Sequence, residues 1–203
     1  IPLVEEFSGN SPLLVAGSTW PDDEKVLAGA WQELNISGLK IMIAPHEIDE
    51  KHIQEIKNLF PEAVRFSEAK TGSLSEEKVL IIDNIGMLSR LYKYGWLTYI
   101  GGGMNKNGVH NVLEAAVYSK IVLFGPFYQK YNEATDLVSC GGGISFTDEE
   151  KNGQTLKLII ETLADDESEY QIRSESAGHF VQSNRGATNK IIHYFQEKRL
   201  LTN

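Results

Sequence analysis

The chain has 203 residues, of which 41% are hydrophobic, and it carries a formal net charge of −9. This length and apolar content fit one large domain with a full core, residues 1–203, better than two small domains. The acidic balance excludes a surface broadly complementary to polyanions, so no nucleic-acid partner is expected.

Short apolar runs rich in branched residues alternate along the chain with longer amphipathic stretches. This alternation predicts β-α units around a parallel sheet that helices cover on both faces. We expect a doubly wound, Rossmann-like α/β fold with about six strands. The predicted strands are Leu13 to Ala16, Leu39 to Ala44, Ala63 to Phe66, Val79 to Ile82, Trp96 to Ile100 and Ile121 to Phe124.

Helices are predicted between the strands and at the end of the chain. Asp22 to Leu34 and Asp49 to Phe60 have apolar residues at helical spacing and precede strands, so both are expected to be crossover helices. The polar segment Ser67 to Lys78 is expected to be an exposed connection. After Gly143 the chain is expected to be helical to its end. The predicted helices there are Asp148 to Leu163, Ser168 to Gln182 and Ala187 to Arg199.

Ligands of a doubly wound sheet bind beyond the carboxyl ends of its strands, so the residues just after each strand are the site candidates. The strongest signal is the loop Gly101 to His110, whose glycines let the backbone approach a ligand closely. Asn111 is a candidate N-cap, with free amides and the positive end of a helix dipole behind it to receive a phosphate. Glu114, one turn further on, is placed to accept both hydroxyls of a ribose.

Structural explanations for the same residues stay open. The glycines also suit tight turns, and Glu114 is also compatible with a solvated first-turn acid or a capping-box partner. Asp83, at the end of the fourth predicted strand, is of a type preferred at N-caps, while the amides of Gly86 and Met87 behind it can face a ligand. Ser18 precedes a Trp-Pro pair that suits a first helical turn, so capping explains it about as well as binding does.

The histidines divide into two groups. His46 and His110 fall in loops at the predicted binding edge, whereas His52, His179 and His193 lie within helical stretches. The sequence shows no His-x-x-x-His pair and no His/Asp cluster with metal spacing, so no metal is expected.

Several other classes of protein are also excluded by missing patterns. The single cysteine, Cys140, rules out an intrachain disulfide and a thiolate metal cage. Gly101 to Gly103 does not continue as Gly-x-Gly-x-x-Gly, and the P-loop pattern is absent, so neither a dinucleotide dehydrogenase nor a P-loop enzyme is expected. No apolar run approaches the ~20 residues of a membrane span.

Six short motifs follow one another along most of the chain: Gly17-Ser18-Thr19, Ala44-Pro45-His46, Asp83-x-x-Gly86-x-Leu88, Gly108-x-His110-Asn111-x-Leu113-Glu114, Phe124-Gly125-Pro126 and Asn184-Arg185-Gly186-Ala187. In this order they resemble the C-terminal domain of the bacterial 3-deoxy-D-manno-octulosonic acid (Kdo) transferases, which have the two-domain GT-B architecture. Each motif alone is weakly specific, but the ordered set is more so.

A few positions depart from the family pattern. Ala115 replaces a proline, Gly103 a serine, Val109 a glycine and Met87 a glutamate. Lys130, with the tyrosine after it, stands where many members have Asn-Phe. Its ammonium group would offer a cation to a phosphate or a sugar carboxylate, although an exposed helix lysine is the simpler explanation.

The resemblance implies one half of a GT-B fold that binds CMP-Kdo for transfer of Kdo to a lipid A precursor in lipopolysaccharide synthesis, at the cytoplasmic face of the inner membrane. It implies no metal and no cofactor besides the donor substrate. It also implies that the catalytic base is a glutamate of an N-terminal domain outside this chain. No catalytic residue is therefore assigned, and the domain alone is expected to be inactive.

The implied site uses backbone amides of the glycine loop and the Asn111 helix start, helped by His110, to stabilise the charge on the leaving phosphate. Two other functions stay open: one half of a UDP-sugar transferase or epimerase, and a non-catalytic sugar- or nucleotide-binding module. The full set of expected donor-binding residues is Ser18, Pro45, His46, Gly86, Met87, Gly102, Gly103, His110, Asn111, Glu114 and Lys130.

Overall fold

Seven strands form one parallel sheet in the computed structural model, which describes residues 1–150 and 152–198. Across the sheet the strands run in the order β3-β4-β2-β1-β5-β6-β7, and every pair of neighbours is parallel. The strands are β1 (Leu13–Thr19), β2 (Lys40–Pro45), β3 (Val64–Arg65), β4 (Val79–Ile81), β5 (Leu97–Ile100), β6 (Ile121–Phe124) and β7 (Gly143–Ser145).

Helices connect the strands and cover both faces of the sheet. They are α1 (Pro2–Ser8), α2 (Pro21–Glu33), α3 (Glu50–Leu59), α4 (Leu88–Leu91), α5 (Leu113–Ala116), α6 (Asn132–Ser139), α7 (Gln154–Asp165), α8 (Glu167–Ser183) and α9 (Ala187–Glu197). Two short 3-10 turns lie at Phe66–Glu68 and Tyr92–Tyr94. Among the described helices, none is both long and apolar enough to cross a membrane.

Side chains of successive strand residues alternate between the two faces, so each strand feeds two separate hydrophobic clusters. On one face Leu14 belongs to a cluster that includes residues of α2, α3 and α7, for example Val26 of α2 and Ile160 of α7. On the other face Val15 packs with α1, α5 and α8, represented by Phe7. Burial on both sides explains why the strands are almost continuously apolar rather than alternating.

The prediction of about six strands in a doubly wound sheet is confirmed, with bounds that shift by three residues at most. The prediction that the chain is helical after Gly143 is wrong, because Ile144 and Ser145 belong to β7, a strand too short to give a periodic signal. The predicted helix from Asp148 begins only at Gln154, behind Gly153 with φ of 79°. Two residues within the predicted C-terminal helices, Lys151 and Arg199, lie outside the described residues.

Two further differences concern segments near the N-terminus and in the middle of the chain. Helices α1 and α6 were not expected from the sequence. The segment Ser67 to Lys78 is largely an exposed loop, but Leu74 within it is fully buried. The Glu6 carboxylate accepts hydrogen bonds from the amides of Gly72 and Leu74, at 2.8 and 2.7 Å. This connection is therefore anchored to α1 rather than free.

The direction in which successive strands are added across the sheet reverses between β1 and β5. From β1 the chain crosses to β2 on one side, whereas from β5 it crosses to β6 on the other. The loops that follow these two strands therefore diverge and leave a crevice at their carboxyl ends, the usual ligand position in open α/β sheets.

Candidate functional site

Three aromatic side chains meet in this crevice. The ring planes of Trp20 and His110 differ by only 8°, with centroids 6.4 Å apart, and the indole N–H of Trp20 donates to His110 Nε2 at 2.9 Å. The two rings therefore lie edge to edge as one nearly flat surface, called the aromatic plate below. His46 stacks on both rings, with centroid distances of 4.7 and 4.6 Å, and its amide donates to the carbonyl of Thr19. His46 and His110 therefore lie together, as expected, while their role in binding stays a prediction.

The bond from Trp20 fixes the protonation state of His110. Because Nε2 accepts a hydrogen bond, the neutral ring carries its proton on Nδ1, which leaves Nδ1–H as its donor to a ligand. Burial lowers the pKa of His110 below its usual value, and the neighbouring His46 ring lowers it further. A second stacked imidazole thus favours the neutral form of His110 at neutral pH.

The lowered pKa of His110 makes the stability of the folded chain depend on pH in a defined direction. Because protonation is less favourable in the folded than in the unfolded state, stability is lost as the pH falls below the usual histidine pKa of ~6.5. We expect the thermal unfolding midpoint of the unmodified chain, relative to that of His110→Gln, to fall between pH 8 and pH 5. A difference that stays constant over this range would contradict the assignment.

The glycine loop after β5 is held by a buried carboxylate. The Asp23 side chain, at the start of α2, accepts hydrogen bonds from the Tyr99 hydroxyl at 2.7 Å and from the amides of Gly102 and Trp20 at 2.9 Å each. Burial raises the pKa of Asp23, although these bonds and one from the Met104 amide act in the opposite direction. The Gly102 amide was expected to bind a phosphate, and here it is already engaged with Asp23.

The other glycines of this loop allow close contact between neighbouring loops. A Cβ atom on Gly101 would lie 2.2 Å from the Ser18 carbonyl oxygen, and one on Gly103 would lie 2.7 Å from the Gly125 nitrogen. Any side chain at either position would push the loops after β1, β5 and β6 apart. Their close packing, rather than contact with a phosphate, explains these two glycines.

Ser18 has an unusual backbone conformation at the carboxyl end of β1. Its φ of 52° lies in the left-handed region, where a residue with a Cβ is disfavoured by ~1–2 kcal/mol. The pairing of β1 with β2 shifts register here, between Gly17 and Thr19. Ser18 thus leaves the sheet at the edge of the crevice, and strain of this kind is concentrated at functional sites.

Glu114 and Asn111 lie close together at the start of α5. The Asn111 amide nitrogen donates to Glu114 Oε1 at 3.2 Å, and Asn111 Oδ1 accepts from the Leu113 amide at 3.1 Å. Val112 directly precedes the helix, one residue after the predicted N-cap, but it already has helical φ and ψ of −67° and −23°. The bond from the Leu113 amide to Asn111 Oδ1 is the bond that an N-cap side chain makes. With four residues, α5 is too short for a substantial dipole, so the expected phosphate site at its N-terminus loses that support.

A buried tyrosine lies near Glu114. Tyr92 is 1% exposed, and a Cβ atom on Gly17 would lie 2.0 Å from its hydroxyl oxygen, so Gly17 leaves room for this hydroxyl at the end of β1. Burial raises the pKa of Tyr92, and the charge of Glu114 raises it further. Glu114 therefore lies near the Tyr92 hydroxyl, which itself lies against the end of β1.

The remaining predicted residues lie around the rim. Pro45 ends β2 and is buried, while Gly86 and Met87 follow β4 in a loop in which Gly86 is exposed. Lys130 is exposed, and its ammonium group donates to the carbonyl of Lys106 at 3.3 Å. Lys130 therefore lies beside the far end of the glycine loop.

A second buried network lies behind the aromatic plate. Glu24 is 1% exposed, and its carboxylate accepts from the Thr19 hydroxyl and contacts His52 Nε2, both at 2.9 Å. The other ring nitrogen of His52 lies 2.9 Å from the Glu47 carbonyl oxygen. Burial alone would lower the pKa of His52, but the charge and hydrogen bond of Glu24, together with the Glu47 carbonyl and the charge of Asp49, raise it. The pair connects β1, α2 and α3 to the loop that carries His46.

One group of possible metal ligands was missed in the sequence. Side-chain atoms of Glu47, Asp49 and His52 lie within 4.8 Å of one another. Both nitrogens of His52 are already engaged, with Glu24 and with the Glu47 carbonyl, so its imidazole is not available as a ligand. The absence of a metal stays a prediction.

A cavity of about 560 Å³ opens beside the aromatic plate. Its volume falls within the ~300–1,000 Å³ of small-molecule sites. The cavity is lined by Trp20, residues 107–113, Tyr131, Glu133 and Ala134.

Comparison with known proteins gives two kinds of relatives. No protein-family model matches the chain. Over 196 residues, 91% of the chain, it is 25% identical to the 3-deoxy-D-manno-octulosonic acid transferase of Rickettsia typhi. The chain is related in sequence to the Kdo transferases. It is also 29% identical, over 126 residues or 60% of its length, to a bifunctional glycosyltransferase/methyltransferase of Fusobacterium nucleatum. It spans 40% and 19% of the lengths of these two relatives.

Solved structures show the same fold. The C-terminal CMP-Kdo binding domain of WaaA from Acinetobacter baumannii matches with a TM-score of 0.74 and 21% identity, over 88% of this chain and 93% of that domain. HepE from Anabaena, in complex with UDP-glucose, matches with a TM-score of 0.67 and 14% identity, over 98% of this chain and 53% of that protein. The prediction of one half of a GT-B fold is confirmed.

Proposed function

We propose that this chain is the donor-binding half of a glycosyltransferase that binds CMP-Kdo and serves transfer of Kdo to a lipid A precursor. One observation carries the proposal. Residues of the Kdo transferase pattern that are far apart in the sequence, Ser18, His46, His110 and Glu114, lie around one crevice at the carboxyl ends of β1, β2 and β5. The sequence relatives support the same donor class.

Each group has a distinct task in this proposal. Glu114 accepts the ribose hydroxyls, since Asn111 holds one carboxylate oxygen and orients the other. The loop at Gly86 and Met87 receives the base. His110 donates from Nδ1 to the phosphate, where negative charge develops as the bond to the sugar breaks. Lys130, exposed at the rim, adds a mobile cation for the phosphate or the sugar carboxylate.

The acceptor and the catalytic base belong to a second domain in this proposal. The acceptor hydroxyl attacks the anomeric carbon, its proton passes to the base, and CMP leaves with the bonding electrons. The proposal includes no metal or cofactor in this step and assigns stabilisation of the leaving phosphate to His110 and Lys130. The whole enzyme would act at the cytoplasmic face of the inner membrane.

Replacing the proposed ribose ligand tests the assignment. We expect Glu114→Ala to weaken CMP binding roughly ten- to a hundredfold, since hydrogen bonds to a carboxylate contribute ~1.5–3 kcal/mol. Isothermal titration calorimetry measures the affinity, and thermal unfolding verifies that the variant is folded. Glu33→Ala, at an exposed position late in α2, is the matched control and should leave the affinity unchanged. Unchanged CMP affinity in folded Glu114→Ala would refute the role of Glu114.

A UDP-sugar donor is the second candidate, favoured by the match over nearly the whole chain to a protein solved with UDP-glucose. Ligand-induced thermal shifts with CMP and UDP at equal concentrations separate the two, because stabilisation follows the affinity of each ligand. We expect the larger shift with CMP. A larger shift with UDP would replace the Kdo proposal with the UDP-sugar one.

A further inference from the structure

The proposed nucleotide contacts leave the cavity beside the aromatic plate without an occupant. Glu114, Gly86 and Met87 are not among the residues that line it. A nucleoside held by these three residues therefore lies next to the cavity rather than in it. His110 borders the cavity and is also the proposed phosphate contact, so the cavity begins where the nucleotide ends.

One wall of the cavity is the aromatic plate. His46 stacks on the plate but is not among the residues that line the cavity. The parts of Trp20 and His110 that border the cavity are therefore not the parts that His46 covers. The hydrogen bond between the two rings fixes their orientation before any ligand arrives. A rigid flat surface loses little conformational entropy when a ligand packs on it.

Tyr131 forms another part of the wall and is also fixed in place. Its hydroxyl donates to the Asn107 carbonyl at 3.0 Å, and its ring lies so close to Gly108 that a Cβ there would be 2.6 Å from Tyr131 Cε2. Although tethered in this way, the residue is 39% exposed. Polar side chains of Asn111 and Glu133 complete the lining. Aromatic walls with a few polar groups are typical of sites that orient a small ligand.

We propose that this cavity is the sugar subsite of the donor site, with the apolar face of a pyranose ring packed against Trp20 and Tyr131 and its hydroxyls directed at Asn111 and Glu133. This inference rests on the proposed function, because the nucleotide must first occupy the crevice beside it. The alternative occupant of a cavity with such walls is the planar base of the nucleotide. Comparing ligands with and without the sugar distinguishes a bound sugar from a bound base.

Calorimetric titrations with CMP and with CMP-Kdo test the subsite. We expect the unmodified chain to bind CMP-Kdo more tightly than CMP. Tyr131→Ala should weaken CMP-Kdo binding roughly five- to tenfold and change CMP binding by less than about twofold. Trp20→Ala also removes the hydrogen bond that holds His110, so it should weaken both ligands, and CMP-Kdo more than CMP. Tyr131→Phe keeps the ring and should retain most of the affinity for CMP-Kdo. Tyr194→Ala, at an exposed position in α9, is the control for loss of an aromatic side chain.

The outcomes distinguish failure of the sugar subsite from failure of the proposed function. If Tyr131→Ala weakens both ligands equally, the aromatic wall binds the nucleotide and the sugar subsite is wrong. Unchanged CMP-Kdo affinity in Tyr131→Ala would refute it as well. If the folded, unmodified chain binds neither CMP nor CMP-Kdo, the proposed function itself fails.

Discussion

His52→Ala should destabilise the chain by about 3–5 kcal/mol, because it leaves the Glu24 carboxylate buried without its charged partner. Glu24 is 1% and His52 6% exposed, and 2.9 Å separates the carboxylate from the ring nitrogen. Chemical denaturation followed by circular dichroism measures the loss as a shift of the unfolding midpoint with little change in slope.

A double-variant cycle separates the ion pair from simple loss of packing. In Glu24→Gln/His52→Ala no unpaired charge is buried, and the glutamine oxygen can still accept from the Thr19 hydroxyl. We therefore expect the double variant to be less destabilised than the sum of the two single variants. His179→Ala, at an exposed position in α8, should change stability by no more than about 0.5 kcal/mol. Additive single effects would show that Glu24 and His52 do not act as a pair.

The position of the site could be predicted from the sequence because it depends on chain order. Polar residues after apolar strands must come together at one edge of a parallel sheet, and this reasoning brought His46 and His110 together, as the structure does. The ring stack between His46 and His110 could not be predicted, because it depends on side-chain rotamers. Trp20 was overlooked for a related reason: next to a proline at a helix start, it fits a capping sequence as well as a binding wall.

The buried acids of α2 were missed because they carry a misleading local signal. Asp and Glu in the first turn of a helix usually interact with the helix dipole in solvent, and Asp23 and Glu24 fit that pattern. In the fold, however, α2 begins directly behind the crevice, so both carboxylates point into the protein. The clue lies in their surroundings: Tyr99 on β5 and His52 on α3 are partners that only the tertiary structure brings near.

This arrangement changes the interpretation of the glycine loop. Glycines beside a predicted phosphate site suggest amides that point at the ligand. Here the amide of Gly102 points at Asp23, and Gly103 packs on Gly125. The loop is thus fixed from the protein side, and in the proposed function its contribution to binding comes from the side chains that it presents, His110 above all. Pre-organisation of this kind reduces the entropy lost on binding.

Asp23→Ala should be as damaging as loss of His52, since it removes the acceptor of three hydrogen bonds from the Tyr99 hydroxyl and the amides of Gly102 and Trp20. Each buried donor left without a partner costs ~1–3 kcal/mol, so we expect a loss of about 3–5 kcal/mol. Asp23→Asn keeps the shape and one acceptor oxygen, and should cost only ~1–2 kcal/mol. Asp165→Asn, at an exposed position in α7, is the neutral control.

Amide hydrogen exchange in Asp23→Asn distinguishes anchoring of the loop from general destabilisation. If Asp23 holds the glycine loop, the Gly102 amide should exchange faster than the fall in global stability accounts for, while the amide of Leu123 in the central sheet follows that fall. CMP affinity should drop in the same variant, because His110 at the end of the loop is no longer fixed against Trp20. Parallel changes at Gly102 and Leu123, with CMP affinity intact, would show that Asp23 stabilises the fold without positioning the site.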